Sequence, residues 1–184
     1  MGILARRGVL VAGIAFATLT LIAFSATALA AKQEKVATMN IGRKELVDRL
    51  VRAGIVEVEG ASPEETARYF DTEKFRFHGP AGFETDYAGL QAYFKSIRDA
   101  FDDRSIRRGI IIVEGNHVAC QTWMEGHFVR EFTMSPAGPL PPNGKKVTWD
   151  LSNIFVFDND GRLVEEYVRT DYRSFLRQLG AEGK

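Results

Sequence analysis

The chain has a single cysteine, Cys120, among 184 residues, so no disulfide can form within it. Cys120 falls in an apolar strand pattern, where a small buried hydrophobe is the expected role. No cysteine lies near the N-terminal processing region, which excludes lipoprotein anchoring. Histidine is scarce as well. His117 and His127 share a strand parity but stand roughly 33 Å apart at the rise of a strand, too far to hold one metal ion. Spacings such as His-x-Glu-x-x-His or Cys-x-x-Cys are missing, so no metal is expected. Nor is there a glycine-rich phosphate loop or a serine nucleophile elbow. Neither sign of charge is in excess: 24 Lys+Arg stand against 24 Asp+Glu. Without a basic stripe carrying interleaved aromatics, nucleic acid is not an expected partner. Any chemistry has to be cofactor-free acid–base work.

What is present begins at the N-terminus. Arg6 and Arg7 precede an uncharged run, Gly8 to Ala31, which ends in "ATALAAKQEK". Ala28 and Ala30 there supply the small-x-small pattern of a signal-peptidase site. The pattern predicts a signal peptide over residues 1–30 with cleavage near Ala30, a mobile leader over 31–40 and one domain over 41–184. The mature protein is then expected in the periplasm or secreted, with no stable membrane anchor. An uncleaved span is the alternative, because the uncharged run is long enough to cross a bilayer. The arginine pair also permits a twin-arginine signal.

In "RKELVDRLVRAG", Leu46, Val47, Leu50 and Val51 recur at helical spacing, and Gly54 reads as a stop. "ASPEETARYF" opens with a helix-start signature: Ser62 as cap, Pro63 at the first position and Glu65 at the third. A short strand, "KFRFHG", stops at Gly79-Pro80. In "DYAGLQAYFKSIRDAFDD", Leu90, Tyr93, Phe94, Ile97 and Phe101 make a broad apolar stripe that is core by default. Strands follow: "SIRRGIIIVEG" turning into "HVACQTWMEGHFVREF", then "KKVTWDLSNIFVF", a "DNDG" turn, and "RLVEEYVRTDY". "TMSPAGPLPPNG" holds four of the 6 prolines and is a loop. Helices first and long antiparallel strands after is an α+β arrangement. Neither parity of "HVACQTWMEGHFVREF" is a plain solvent face. Such a sheet lines a cavity or meets a second subunit, and a homodimer is the expectation.

On the last strand, a period of two puts Leu163, Glu165, Tyr167, Arg169 and Asp171 on one face. Trp149, Leu151, Asn153 and Phe155 share a parity on the strand before. If those faces line one cavity, burial raises the pKa of Asp171 while Arg169 lowers it. That mixture suits a general acid or base, and it equally describes a structural ion pair. His78, where the chain turns, reads either as a polar group at a pocket mouth or as a capping or solvent-facing side chain.

The same residues carry a family resemblance. "FHGPAG", "AFDD", "EGHFVREF", "PPNGKKVTW", "GRLVEEYVRTD" and the closing "QLG" occur in an order that resembles SnoaL-like polyketide cyclases and ester cyclases of the nuclear transport factor 2-like superfamily. The resemblance covers about Ile41 to Gly180. It implies a cone-shaped α+β barrel, with helices packed in a curved antiparallel sheet around a deep pocket. It implies that Asp171 is the acid–base of an intramolecular aldol closure, that His78 is the pocket histidine, and that "EGH" at His127 stands for the family's "GTH" segment. Trp123, Trp149, Asn153, Tyr167 and Arg169 join His127 as candidate ligand contacts, and no cofactor or metal is implied. Arg169 beside the acid favours an anionic ligand or a permanently ionised Asp171. Three readings follow: a cofactor-free cyclase, isomerase or lyase acting on a small carbonyl compound; a periplasmic small-molecule-binding module; and a structural dimerising domain in which Asp171 pairs with Arg169.

Overall fold

The computed structural model describes residues 41–181, all within one compact unit. The expected signal peptide and leader lie outside the described residues. Among the described residues four α-helices and six strands run in the order α1 (Arg43–Glu59), α2 (Pro63–Tyr69), β1 (Arg76–His78), β2 (Glu84–Thr85), α3 (Tyr87–Ala100), β3 (Phe101–Glu114), β4 (His117–Phe128), β5 (Lys146–Phe157), β6 (Leu163–Thr170) and α4 (Tyr172–Leu179). A short 3-10 turn, Pro80–Gly82, joins β1 to β2. Among the described residues no helix is long and apolar enough to cross a membrane.

Local signals explain most of these elements. Ser62 Oγ accepts from Glu65 N at 3.3 Å, and Pro63 occupies the first helical position of α2. Asp86 caps α3 by accepting from Gly89 N at 2.9 Å. The β5–β6 turn closes with Gly161 at φ 71°, a left-handed conformation that suits glycine. One signal misleads. α1 does not stop at Gly54 but runs through it to Glu59, because Ala53, Val56, Glu57 and Val58 still face the interior.

The α+β class stands, but the cone-shaped barrel does not. The sheet is open, in the order β2-β1-β6-β5-β4-β3, so β2 and β3 are free edges and nothing closes it into a barrel. It is also mixed: β1 runs parallel to β6, pairing Phe77 with Glu166 and His78 with Tyr167. Long strands and a strand-turn-strand rhythm favour an antiparallel reading, yet they carry no signal for where the short β1 docks.

A second correction concerns phase. β5 and β6 pair Phe157 with Leu163 and Val156 with Glu165, which leaves Val164 as an extra residue on β6. This bulge shifts the alternation by one residue. Leu163 is buried, but beyond the bulge it is Glu166 and Val168 that face inward, while Tyr167 and Arg169 face out. The strand also ends at Thr170, so Asp171 is not on it.

The helices cover one face of the sheet in two packed clusters. Leu46, Leu50, Phe70, Phe75, Phe155, Phe157 and Leu163 belong to the first. Phe101, Phe128, Phe132, Trp149 and Phe175 belong to the second, with Phe101 stacked on Phe128 at 4.9 Å between ring centroids. Each such side chain stabilises the fold by about 1.5–3 kcal/mol through burial.

Candidate active site

Where the two clusters meet, the packing leaves a cavity of about 550 Å³. Its wall takes Phe77 from β1, Tyr93 and Phe94 from α3, Met124 from β4, Trp149 and Leu151 from β5, Val168 from β6 and Phe175 from α4. The rim is formed by the Pro80–Phe83 turn and by Met134 to Pro136 of the proline-rich loop. Among the described residues one carboxyl group lines it, that of Glu166, and no Lys, Arg or His does.

Glu166 is 4% exposed, on the inward face of β6 beyond the bulge. Its Oε1 accepts from Asn153 Nδ2 at 2.9 Å, while its Oε2 has no hydrogen-bond partner. Burial raises its pKa above the usual value; the neighbouring Glu57 carboxyl, the charge of Arg108 and the Asn153 amide act in the other direction. A buried carboxyl that lines a cavity can take a proton from a bound molecule or return one.

Two donors share the wall. The Trp149 indole N–H is buried and has no hydrogen-bond partner, so it keeps an unused donor. The Trp149 indole acts on the Tyr93 hydroxyl, lowering its pKa against the larger effect of burial. Burial pushes the Tyr93 pKa up to about 12, so the phenol keeps its proton at neutral pH. A buried donor with no partner costs about 1–3 kcal/mol in an otherwise packed wall, and a ligand carbonyl would relieve that cost. Among the described residues no three His, Cys, Asp or Glu side chains gather as metal ligands would.

The residues nominated from the sequence are dispersed. Trp149 lines the cavity, and Asn153 stands behind it holding Glu166. Asp171 does not line the cavity, although Thr170 and Tyr172 on either side of it do. It is exposed, and its Oδ1 caps α4 by accepting from Ser174 N at 3.0 Å. His78 lies on the opposite face of the sheet, stacked on Tyr167 with ring centroids 4.4 Å apart, its Nδ1 3.3 Å from Glu84 Oε1. Arg169 does not touch Asp171: its guanidinium donates to the carbonyls of Val168, at 2.7 Å, and of His78 and Gly79. Trp123 lies under Arg107 at 3.9 Å, and His127 Nδ1 is 3.4 Å from Asp103 Oδ2, both on that other face. A cavity without a cation does not favour an anionic ligand. Glu166 was within reach of the sequence: in "VEEY" two acids are adjacent on an apolar strand, and alternation sends one of them inward.

The profile of the SnoaL-like polyketide cyclase family matches residues 49–179 of this chain. Solved structures share its fold. AclR from Streptomyces galilaeus superposes with a TM-score of 0.62 at 18% identity, covering 78% of this chain and 85% of its own. TsrD from Streptomyces laurentii gives 0.62 at 21% identity, over 77% and 98%. A SnoaL-like polyketide cyclase from Agrobacterium tumefaciens gives 0.55 at 16% identity, over 73% and 98%. At these identities the likeness is one of fold. No functionally curated protein matches the chain.

Proposed function

Because the chain belongs to the SnoaL-like polyketide cyclase family of the nuclear transport factor 2-like superfamily, we propose that it performs acid–base chemistry on a small, uncharged carbonyl compound held in this cavity, with Glu166 as the group that moves the proton. The observation that carries the reading is the wall itself: among the described residues, one buried carboxyl, that of Glu166, set among aromatic side chains with no cation to bind an anion.

The step follows from the groups present. Glu166 as carboxylate removes a proton from the carbon next to a carbonyl. The negative charge passes to that carbonyl oxygen, where Trp149 N–H and Tyr93 O–H are the available donors. The enolate carbon attacks a second carbonyl of the same molecule, one carbon–carbon bond forms, and the new alkoxide takes the proton back from Glu166. The product is an isomer of the substrate, so no oxidant or reductant enters. Ring closure within one bound molecule gains from the confinement of both reacting carbons.

Solvent-deuterium incorporation tests this without knowledge of the true substrate. A panel of uncharged aromatic ketones with protons next to the carbonyl is incubated in D₂O and followed by NMR. The native protein and Asp171→Asn are expected to exchange those protons. Glu166→Gln is expected to lose about 10²–10⁴-fold in rate, the usual contribution of a positioned acid–base. Exchange that persists in Glu166→Gln and disappears in Asp171→Asn would return the role to Asp171. Ketones that bind all three proteins with no exchange in any would make the cavity a binding site.

A further inference from the structure

Behind Glu166, on the side away from the cavity, polar side chains cross the sheet where a core would normally be apolar. Asn153 of β5 holds Glu166 and pairs across the strands with Cys120 of β4. Next to Cys120 on the same face, Thr122 pairs with Arg108 of β3, and the Arg108 guanidinium donates to its hydroxyl at 2.5 Å. The row is closed from the helix side by Glu57 of α1, which is 3% exposed.

Two details show that this row is built. Arg108 reaches inward over the Phe155 ring, 5.1 Å from its centroid, and lies against α1 at Gly54. A Cβ at Gly54 would collide with the guanidinium, so the glycine gives the cation its place. The carboxyls of Glu57 and Glu166 each keep an oxygen without a donor, Oε1 of Glu57 and Oε2 of Glu166. Two ionised carboxylates are acceptors only and cannot satisfy one another. A single proton between them can.

We propose that Glu57 is the positioning residue of the site: it holds a proton behind Glu166 and donates it as a hydrogen bond, so that Glu166 presents an ionised oxygen to the cavity while Arg108 offsets the buried charge. The inference rests on Glu166 as the acid–base, and its test does not depend on turnover. The groups that face Glu57 are Glu166 from β6, Arg108 from β3, Cys120 from β4 and Tyr87 from α3. Burial and the neighbouring Glu166 charge both raise the pKa of Glu57, and the contact between the two carboxyls raises Glu57 further while lowering Glu166. That is the direction expected if Glu57 is the member that keeps the proton. The two then titrate as a pair, in two steps that belong to neither alone.

The experiment is a pH titration of the full chain labelled with ¹³C at the glutamate carboxyls. In the native protein, Glu57 and Glu166 are expected to show two coupled steps, the upper one well above the ordinary glutamate range. In Glu57→Gln the upper step should vanish and the lower one stay in place, because the amide replaces the donor without the proton. In Glu57→Leu the donor is gone, and the Glu166 step should move up. In Arg108→Met it should also move up. Independent single steps near the ordinary value in the native protein, or a Glu166 step unmoved by both Glu57 variants, would overturn the proposal. If deuterium exchange shows Glu166 to be inert, these titrations still decide whether the pair shares a proton. If the pair holds and Glu166 is active, the acid limb of the exchange rate should follow the Glu166 step in Glu57→Leu, a change that a purely structural role for Glu57 would not produce.

Discussion

Glycine in a helix interior costs about 1 kcal/mol relative to alanine, and α1 carries Gly54 nonetheless. The opposing effect is the hydrogen bond between the Arg108 guanidinium and Thr122; bonds to charged groups are worth about 1.5–3 kcal/mol, which outweighs the helix term. The residues behind Glu166 also make stability depend on pH in an unusual direction. Folding raises the pKa values of Glu57 and Glu166 above the usual 4.5, so the folded chain binds protons more tightly than the unfolded one. Their contribution is fully present below about pH 4.5 and is lost as pH rises from there through the folded values. In Glu57→Gln that loss is removed for one of the two groups. Its melting temperature should match that of the native protein near pH 4.5 and exceed it at neutral pH. The gain is about 1.4 kcal/mol for each pKa unit by which folding raises Glu57. Melting curves recorded across that range would check it, and a variant less stable than native at neutral pH would count against the raised value.

Among the elements, β6 decides what the cavity contains. Because Val164 is an extra residue, removing it leaves Leu163, Glu166 and Val168 on the faces they already occupy. Deletion of Val164 should therefore fold, with a modest fall in melting temperature. Deletion of Tyr167, where pairing is regular, shifts the rest of the strand by one and sends Arg169 inward, a change that should abolish folding. Circular dichroism melts of the two deletions separate these outcomes. The bulge also marks the limit of what the sequence makes legible. The cap at Ser62 and the stripe of α3 are local, and they were readable because the residues that cause them are neighbours. The parity of β6 was not. A count by twos from Leu163 reaches Asp171 on the inner face, while an extra residue between two long strands leaves no mark in composition or period. Glu57 was hidden for a related reason, since a glycine that makes room for a guanidinium looks the same in sequence as a glycine that ends a helix.

For the molecule as a whole, the side of the sheet away from the helices carries Ile110 and Ile112, exposed by 72% and 60%, with Ile154 nearby. They surround a shallow cleft that includes Tyr167 and Arg169. Exposed β-branched side chains gathered in this way are a surface that water covers poorly, and we propose it as the contact of a homodimer. Light scattering at micromolar concentration should give twice the chain mass for the native protein and the chain mass for Ile112→Glu; a native monomer would remove the proposal. The cap formed by Asp171 has a consequence on a longer timescale. An acid at the start of α4 is favoured by local folding whether or not the protein turns anything over. Such an acid can therefore be retained for the sake of the helix alone, and a motif search that scores this letter would count binding proteins and catalysts alike.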